Sequence, residues 1–412
     1  MPNNSAPPLR RRLYVLLITP MFPPITVGGG GMHVFYLALA LGRRRGVRVH
    51  VFAPGEQLPG GDAHWFFRSP RTSVHRTDFT SGPGNVPCHL AIERCLSVYA
   101  RVKAEPGYDA YGCSVIHGQH FAGVFVGLHL QSRFGDPLIA TLHKTPIGRG
   151  AGNTVLDRDA TYAHLDWLVK GPTNAFIAGS DFFSTELTRL GAGTRTTPIL
   201  HGVPSEWLRA RANRLSPRKA KREVLKIDEG DKFVVCPVRQ DDRKLTAELI
   251  EAAKILKTEM RDTRLRFLIT AADREELIKS VREAGVEDDF LLLQEPIPIE
   301  YFYSVLKAGA VCVVPTTREG LGLSVLEALA VETPVVATDA EGIREIITNE
   351  ESGCLYAQGQ PRHLAYYVER LIRDKEFRKR LIENGSRVVA ERFSDTAMAE
   401  RTEELYRSLL PS

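Results

Sequence analysis

The 412-residue sequence is poor in cysteine, carries little net charge and contains no long apolar run. Its six cysteines are Cys88, Cys95, Cys113, Cys236, Cys312 and Cys354. They have neither the spacing of a metal knuckle nor that of a redox pair. Cys236 and Cys312 lie in the apolar runs FVVCPV and AVCVVP, where a thiol behaves as a small hydrophobe. All six read as reduced, and the expected location is the cytoplasm. No stretch approaches 18 uninterrupted apolar residues, which excludes a membrane-spanning helix. Arg10, Arg11 and Arg12 precede the apolar run LYVLLI, a superficial likeness to a signal peptide. The run is short, however, and Pro20, Pro23 and Pro24 follow it instead of a small-residue cleavage site, so a first buried strand fits better. A net charge of +5 suits an anionic small molecule and does not call for nucleic acid as a partner. From Arg209 to Lys226 there are eight basic residues and one acid. That stretch reads as a solvated helix or linker, with peripheral contact to a membrane surface as the sharper alternative. No Asp-x-Asp stands at a strand end to hold a metal–diphosphate. Asp241-Asp242 reads as surface charge, and no metal site is expected.

What is present is alternation. LYVLLIT (13–19) reads as a strand, MHVFYLALAL (32–41) as a helix and VRVHVFA (47–53) as a strand. SVIHG, PLIATLH and NAFIAGS continue the series as buried strands. The pattern lapses into polar, basic text between about 204 and 230, where Ser216-Pro217 forms a helix start. It resumes with FVVCPV (233–238), a helix over 245–257, and the strand-like runs RFLIT (266–270), FLLL (290–293), VCVVP (311–315) and PVVAT (334–338). Short apolar runs separated by helical spacings predict an α/β protein with two parallel, doubly wound, Rossmann-like sheets facing across a cleft. The hinge falls near 204–210. Residues 56–90, rich in Gly, Pro, Ser and Thr, predict a long loop or flap. Residues 377–410 predict helices. The expected division is 1–205 for the first domain and 206–391 for the second.

Four sites carry chemistry. Gly28, Gly29, Gly30 and Gly31 lie between the first strand and helix. They read either as a tight turn or as an opening through which amide groups at a helix N-terminus meet a phosphate. Arg239 and Lys244 follow FVVCPV, at the carboxyl end of a strand where open α/β sheets bind ligands. They read as a diphosphate clamp or as an ordinary charged loop. The most informative segment is PTTREGLGLSVLEALAVETP (315–334). Glu319 precedes Gly320, Leu321, Gly322 and Leu323, and Glu327 stands in an otherwise apolar helix. A carboxylate there is costly to bury without a partner. Its partner is a pair of ligand hydroxyls or an internal salt bridge. A carboxylate acceptor beside a glycine-opened helix end points to a sugar attached to phosphate. The fourth site is His143, at the end of PLIATLH, which donates to a substrate hydroxyl or satisfies backbone. His117 and His120 read as structural.

The chain resembles the retaining glycosyltransferases of family 4, of GT-B architecture. The resemblance runs from YVLLITPMFPP and GGGG near the start to RFSDTAMAERTEELY at the end. It is most specific in EGLGLSVLEALAVETPVVATDAEGIREII (319–347), with seven residues between its two glutamates. It implies that a final helix, at about 392–412, returns to the first domain. The resemblance implies that Glu319 contacts donor-sugar hydroxyls, Glu327 the ribose, Arg239 and Lys244 the diphosphate, and His143 the donor sugar near its C6 hydroxyl. It implies that the Gly28–Gly31 loop faces the diphosphate and the acceptor. The implied substrates are a nucleotide-diphosphate-sugar donor, with UDP- or GDP-sugars foremost, and a hydroxyl acceptor. No further cofactor is implied. Departures occur at Val238, Leu245, Gln119, His201, Pro204, Glu332 and Glu341, and they leave sugar and acceptor open. A glycosyl phosphorylase, a sugar-nucleotide epimerase and a non-catalytic binding subunit are the rival readings. The oligomeric state is not legible.

Overall fold

A computed structural model describes residues 12–24, 29–55, 71–77, 89–105, 108, 112–143, 166–237, 243–259, 264–270, 274–293, 297–316 and 320–411. The first half contains β1 (Arg12–Ile18), α1 (Gly29–Arg43), β2 (Val47–Pro54), β3 (Thr72–Thr77), α2 (His89–Lys103), β4 (Gly112–Gln119) and α3 (His120–Phe134). It continues with β5 (Leu138–Thr141), β6 (Ala175–Ala178), α4 (Asp181–Arg189) and β7 (Thr196–Pro198). The second half begins with α5 (Ser205–Ala212), α6 (Pro217–Lys219), β8 (Lys232–Cys236), α7 (Arg243–Glu259), β9 (Leu265–Ile269), α8 (Arg274–Glu283) and α9 (Ile299–Ala308). After these come β10 (Val311–Val314), α10 (Leu323–Ala330), β11 (Val335–Thr338), α11 (Glu341–Arg344), β12 (Cys354–Tyr356), α12 (Pro361–Arg373), α13 (Lys375–Arg392) and α14 (Asp395–Ser408).

Both sheets are parallel. The first has the order β3-β2-β1-β4-β5-β6-β7 and the second β12-β11-β10-β8-β9. Every residue of β1 after Arg12 is buried, as a strand covered by helices on both faces requires. The strand order reverses between β1 and β4 in one sheet and between β10 and β8 in the other. These switch points splay the connecting loops apart and leave a crevice at the carboxyl ends of the strands.

Two expectations need correction. The stretch 56–90 is not one long loop, because Thr72–Thr77 forms β3 on β2, registered Val49 to Thr72 through Pro54 to Thr77. Its polar composition is that of a strand at the sheet edge. FLLL is not a strand. Only Phe290 bridges, to Phe267, and Leu291 donates its amide to the Phe267 carbonyl at 2.8 Å. The sheet instead gains β12, whose three residues are too few for periodicity to reveal. Ser216 does start a helix, its hydroxyl accepting from the Lys219 amide at 3.3 Å.

The basic stretch is largely occupied internally. Arg209 donates to the Ala330 carbonyl at 3.1 Å and to the Ser386 hydroxyl at 2.9 Å. Lys221 donates to the Glu229 and Asp231 carbonyls, Arg211 lies over the Trp207 ring, and Arg218 pairs with Glu229. These cations tie the connection to the second half and are not arrayed as one free patch.

The last helix crosses back to the first sheet. Asp395 pairs with Arg43 at 3.0 Å, while Glu400 and Glu403 both hold Arg44. Before it, the Val203 amide donates to the Phe393 carbonyl at 2.9 Å. No described helix is long and apolar enough to cross a membrane.

Candidate functional site

Helices from both halves meet at Glu327. The apolar face of α10 buries this residue, leaving it 7% exposed. Tyr36 of α1 donates its hydroxyl to Glu327 Oε1 at 2.5 Å, and Tyr303 of α9 donates to the same oxygen at 3.1 Å. The two phenol oxygens are 2.7 Å apart. Burial pushes the Glu327 carboxyl up to about 7, while the two tyrosine hydroxyls pull it back. The partner of the buried carboxylate is thus neither a salt bridge nor, in this structure, a ligand. It is a pair of tyrosines contributed by the two halves. Trp207, on the connecting α5, packs its ring against Phe35, Tyr36 and Tyr303 with centroids 5.4–6.1 Å away. This apolar collar keeps water from the carboxylate and sustains the shift.

Two more contacts join the halves. Glu345 accepts from the amides of Asp181 and Phe182, both at 2.9 Å. A carboxylate from the second half thereby caps the positive N-terminus of α4. Phe183, on the same first turn, lies against Gly320, where any side chain would collide with its ring.

At the second switch point, Gly322 caps α10 with φ of 91° and no side-chain hydrogen bond. That left-handed conformation favours glycine. It leaves the first amides of α10 without a capping side chain at the carboxyl end of β10, a disposition suited to an anion. Leu321 and Leu323 are buried beneath this turn. Lys244 is the second residue of α7, which follows β8. Arg239, Glu319 and Gly28 lie outside the described residues.

At the first switch point, Gly29, Gly30 and Gly31 form the opening turn of α1 and not a loop before it. Gly30 must lack a side chain because the His120 imidazole occupies the place of its Cβ. His120 itself has φ of 57°, a conformation uncommon outside glycine. Around it lies a cluster of histidine rings. His33 stacks on His201 with centroids 3.7 Å apart, and His143 stands 5.0 Å from His33, 4.4 Å from His120 and 5.2 Å from His201. Burial, then the neighbouring histidines, hold His143 and His33 well below the usual imidazole range. His117 is lowered to about 3 and His201 to about 4, in each case chiefly by burial. His33, His117, His143 and His201 are therefore neutral at physiological pH. His33 and His201 stack, His143 stands edge-on or tilted to its neighbours, and no group of three ligands that could hold a metal ion forms among the described residues.

His143 Nε2 donates to Gln119 Oε1 at 2.8 Å, so the expectation that this nitrogen meets a substrate hydroxyl does not describe the present geometry. Sequence reading missed His33, Tyr36, Tyr303 and Glu345. His33 and Tyr36 sit in an apolar helix like any core residue, and nothing in their spacing marks the far partner. The unusual His201 in the linker was visible, but only the fold shows that it stacks on His33.

Two parallel α/β units whose switch-point elements meet define the class: a GT-B protein. Solved structures of the same fold include sucrose-phosphate synthase from Thermosynechococcus elongatus, at a TM-score of 0.74 and 21% identity, covering 97% of this chain and 99% of that one. Another is Anabaena HepE in complex with UDP and glucose, at a TM-score of 0.71 and 16% identity, covering 96% and 99%. Residues 27–207 match the family described as Glycosyltransferase Family 4, and residues 217–388 match Glycosyl transferases group 1. The D-inositol 3-phosphate glycosyltransferase of Frankia alni is 26% identical over 392 residues, 88% of this chain and 91% of its own. The chain belongs to the group 1 glycosyltransferases of GT-B architecture, and it is an enzyme of glycosyl transfer.

Proposed function

We propose that this enzyme moves a sugar from a nucleotide-diphosphate donor to an acceptor hydroxyl, with retention and without a metal ion. The observation that carries the reading is the uncapped, glycine-opened N-terminus of α10 at the second switch point, with Glu327 one turn further along the same helix. Helix-end amides there stabilise the diphosphate as it departs and gains charge. Arg239 and Lys244 clamp the same group, Arg as a fork and Lys as a point charge. Glu319 accepts from donor-sugar hydroxyls. Glu327 accepts from the ribose once Tyr36 yields its place, or through Oε2 beside it. The departing phosphate oxygen takes the acceptor's proton on the face it has just left, which retains configuration. The domain boundary lies near residue 205, and the tail from about 392 belongs with the first domain. A UDP- or GDP-sugar is the foremost donor. The UDP complex of HepE and the inositol-phosphate relative support a nucleotide-sugar chemistry with a polyol acceptor.

The test is a hydrolysis screen of UDP-, GDP- and ADP-sugars without acceptor, with thermal shift against the free nucleotides and inorganic phosphate. Slow release of one nucleotide, with stabilisation by that nucleotide, is expected. Stabilisation by inorganic phosphate alone, with no nucleotide effect, would replace this reading with phosphorolysis.

A further inference from the structure

Gln119 occupies the N-cap position of α3 yet makes no capping hydrogen bond. Its amide is spent elsewhere. Oε1 accepts from His143 Nε2 at 2.8 Å, and Nε2 donates to His117 Nε2 at 3.0 Å. On the far side of the same ring, His117 Nδ1 lies 2.6 Å from the Tyr406 hydroxyl on α14. Thr141 Oγ1 is 2.7 Å from His117 Nε2. Gln119, His117 and Thr141 are fully buried, as is Tyr406. Burial keeps these groups from exchanging partners with bulk water, so the bonds among them bias where each ring proton sits.

The polarity of the chain follows. An amide NH2 directed at His117 Nε2 needs a lone pair there, so the His117 proton resides on Nδ1, where the Tyr406 oxygen accepts it. The Thr141 hydroxyl, 2.7 Å from that nitrogen, shares its single lone pair with the amide in a bifurcated arrangement. The amide oxygen at the other end needs a proton on His143 Nε2, which leaves the His143 Nδ1 as a lone pair. Turning the amide over would reverse every bond and place the His143 proton on Nδ1. The two histidines are therefore coupled: His117 is protonated on Nδ1 and His143 on Nε2, or both are reversed.

We infer that Tyr406, His117 and Gln119 form a positioning relay that fixes His143 with its proton on Nε2 and presents Nδ1 to substrate as a hydrogen-bond acceptor. The role of His143 toward the donor sugar rests on the proposed function. The relay itself does not. It makes the closing helix of the chain a determinant of how a side chain at the first switch point is presented. It also accounts for the Gln119 side chain leaving the N-terminus of α3 without a capping bond.

The experiment is long-range 1H–15N correlation of the histidine rings in the ligand-free, full-length protein. The wild-type protein is expected to show His117 protonated on Nδ1 and His143 on Nε2. In Tyr406→Phe, His117 Nδ1 loses its acceptor, its proton moves to Nε2 against Thr141, the amide turns, and His143 shifts to the Nδ1-protonated form. Gln119→Met uncouples the rings, so His143 becomes a mixture, and adding Tyr406→Phe to that background changes His143 no further. Wild-type His143 protonated on Nδ1, or a His143 signal indifferent to Tyr406→Phe, overturns the relay. The wild-type spectrum alone decides the first of these, whatever the variants' stability. His143→Ala tests the other reading separately. Unchanged turnover in that variant removes His143 from donor binding and leaves the tautomer result standing.

Discussion

The two switch points are built from opposite materials. At the first, between β1 and β4, the polar groups include neutral, buried imidazoles, two of which, His117 and His143, hydrogen-bond to Gln119. At the second, between β10 and β8, they are a helix end with a glycine cap, a carboxylate, and cations in the sequence beside it. On the proposed function, the charge lies at the switch point assigned to the diphosphate, and the neutral hydrogen-bonded groups lie at the other. The two tyrosines on Glu327 join the halves.

That contrast can be broken most strongly at the cationic side. Arg239→Ala and Lys244→Ala are each expected to lower turnover by about 10²- to 10³-fold, the loss that follows removal of one preorganised charge-stabilising group. Steady-state rates near wild type in either variant would move the clamp elsewhere.

Glu327 offers the next test, through pH. Its folded pKa of about 7 stands above the ordinary value of 4.5, so between these values the folded chain holds a proton that the unfolded chain has released. Stability contributed by this group is therefore greatest below about pH 4.5 and declines as pH rises toward 7, by on the order of 3 kcal/mol. Glu327→Gln keeps the acceptor oxygen and removes the slope. Urea unfolding at pH 5 and pH 8 should show the variant gaining on the wild type at the higher pH, while its turnover falls. Equal differences at both pH values would mean that the carboxylate is hydrated.

The join between the halves is tested by Tyr36→Phe, which removes one hydroxyl from a buried carboxylate. A loss of about 2 kcal/mol is expected, with the Glu327 pKa rising further, read by the same unfolding series. The smallest effect is at Glu332. It has φ of 67° just past α10, where glycine is the favoured residue, and its pairing with Lys307 at 3.8 Å is exposed and weak. Glu332→Gly should stabilise by about 0.5–1 kcal/mol without altering turnover, as a small rise in Tm.

The second switch point was far more legible in the sequence than the first. A carboxylate in SVLEALAV contradicts its apolar neighbours, and two glycines before it announce a special turn, so periodicity alone exposes both. The central strands of both sheets were legible for the same reason, as continuous apolar runs, while the polar edge strand β3 and the short β12 were not. FLLL shows the limit, because four apolar residues do not distinguish a ladder strand from a single bridge. At the first switch point nothing contradicts its surroundings. His33 and Tyr36 are compatible with a core helix, and Gln119 with any helix cap. Their meaning lies in partners far along the chain, such as Tyr406 for His117.

The sequence by itself determined the alternation of buried strands and helices, the family, and the identity of the charged groups. These follow from local pattern, which the backbone reads one turn or one strand at a time. Only the tertiary structure decided that Glu327 is held by two tyrosines from opposite halves, that Glu345 caps α4, and that His33, His143 and His201 cluster as neutral rings. Each of these depends on which surfaces are dehydrated together, and burial is a property of the packed chain and not of any segment of it.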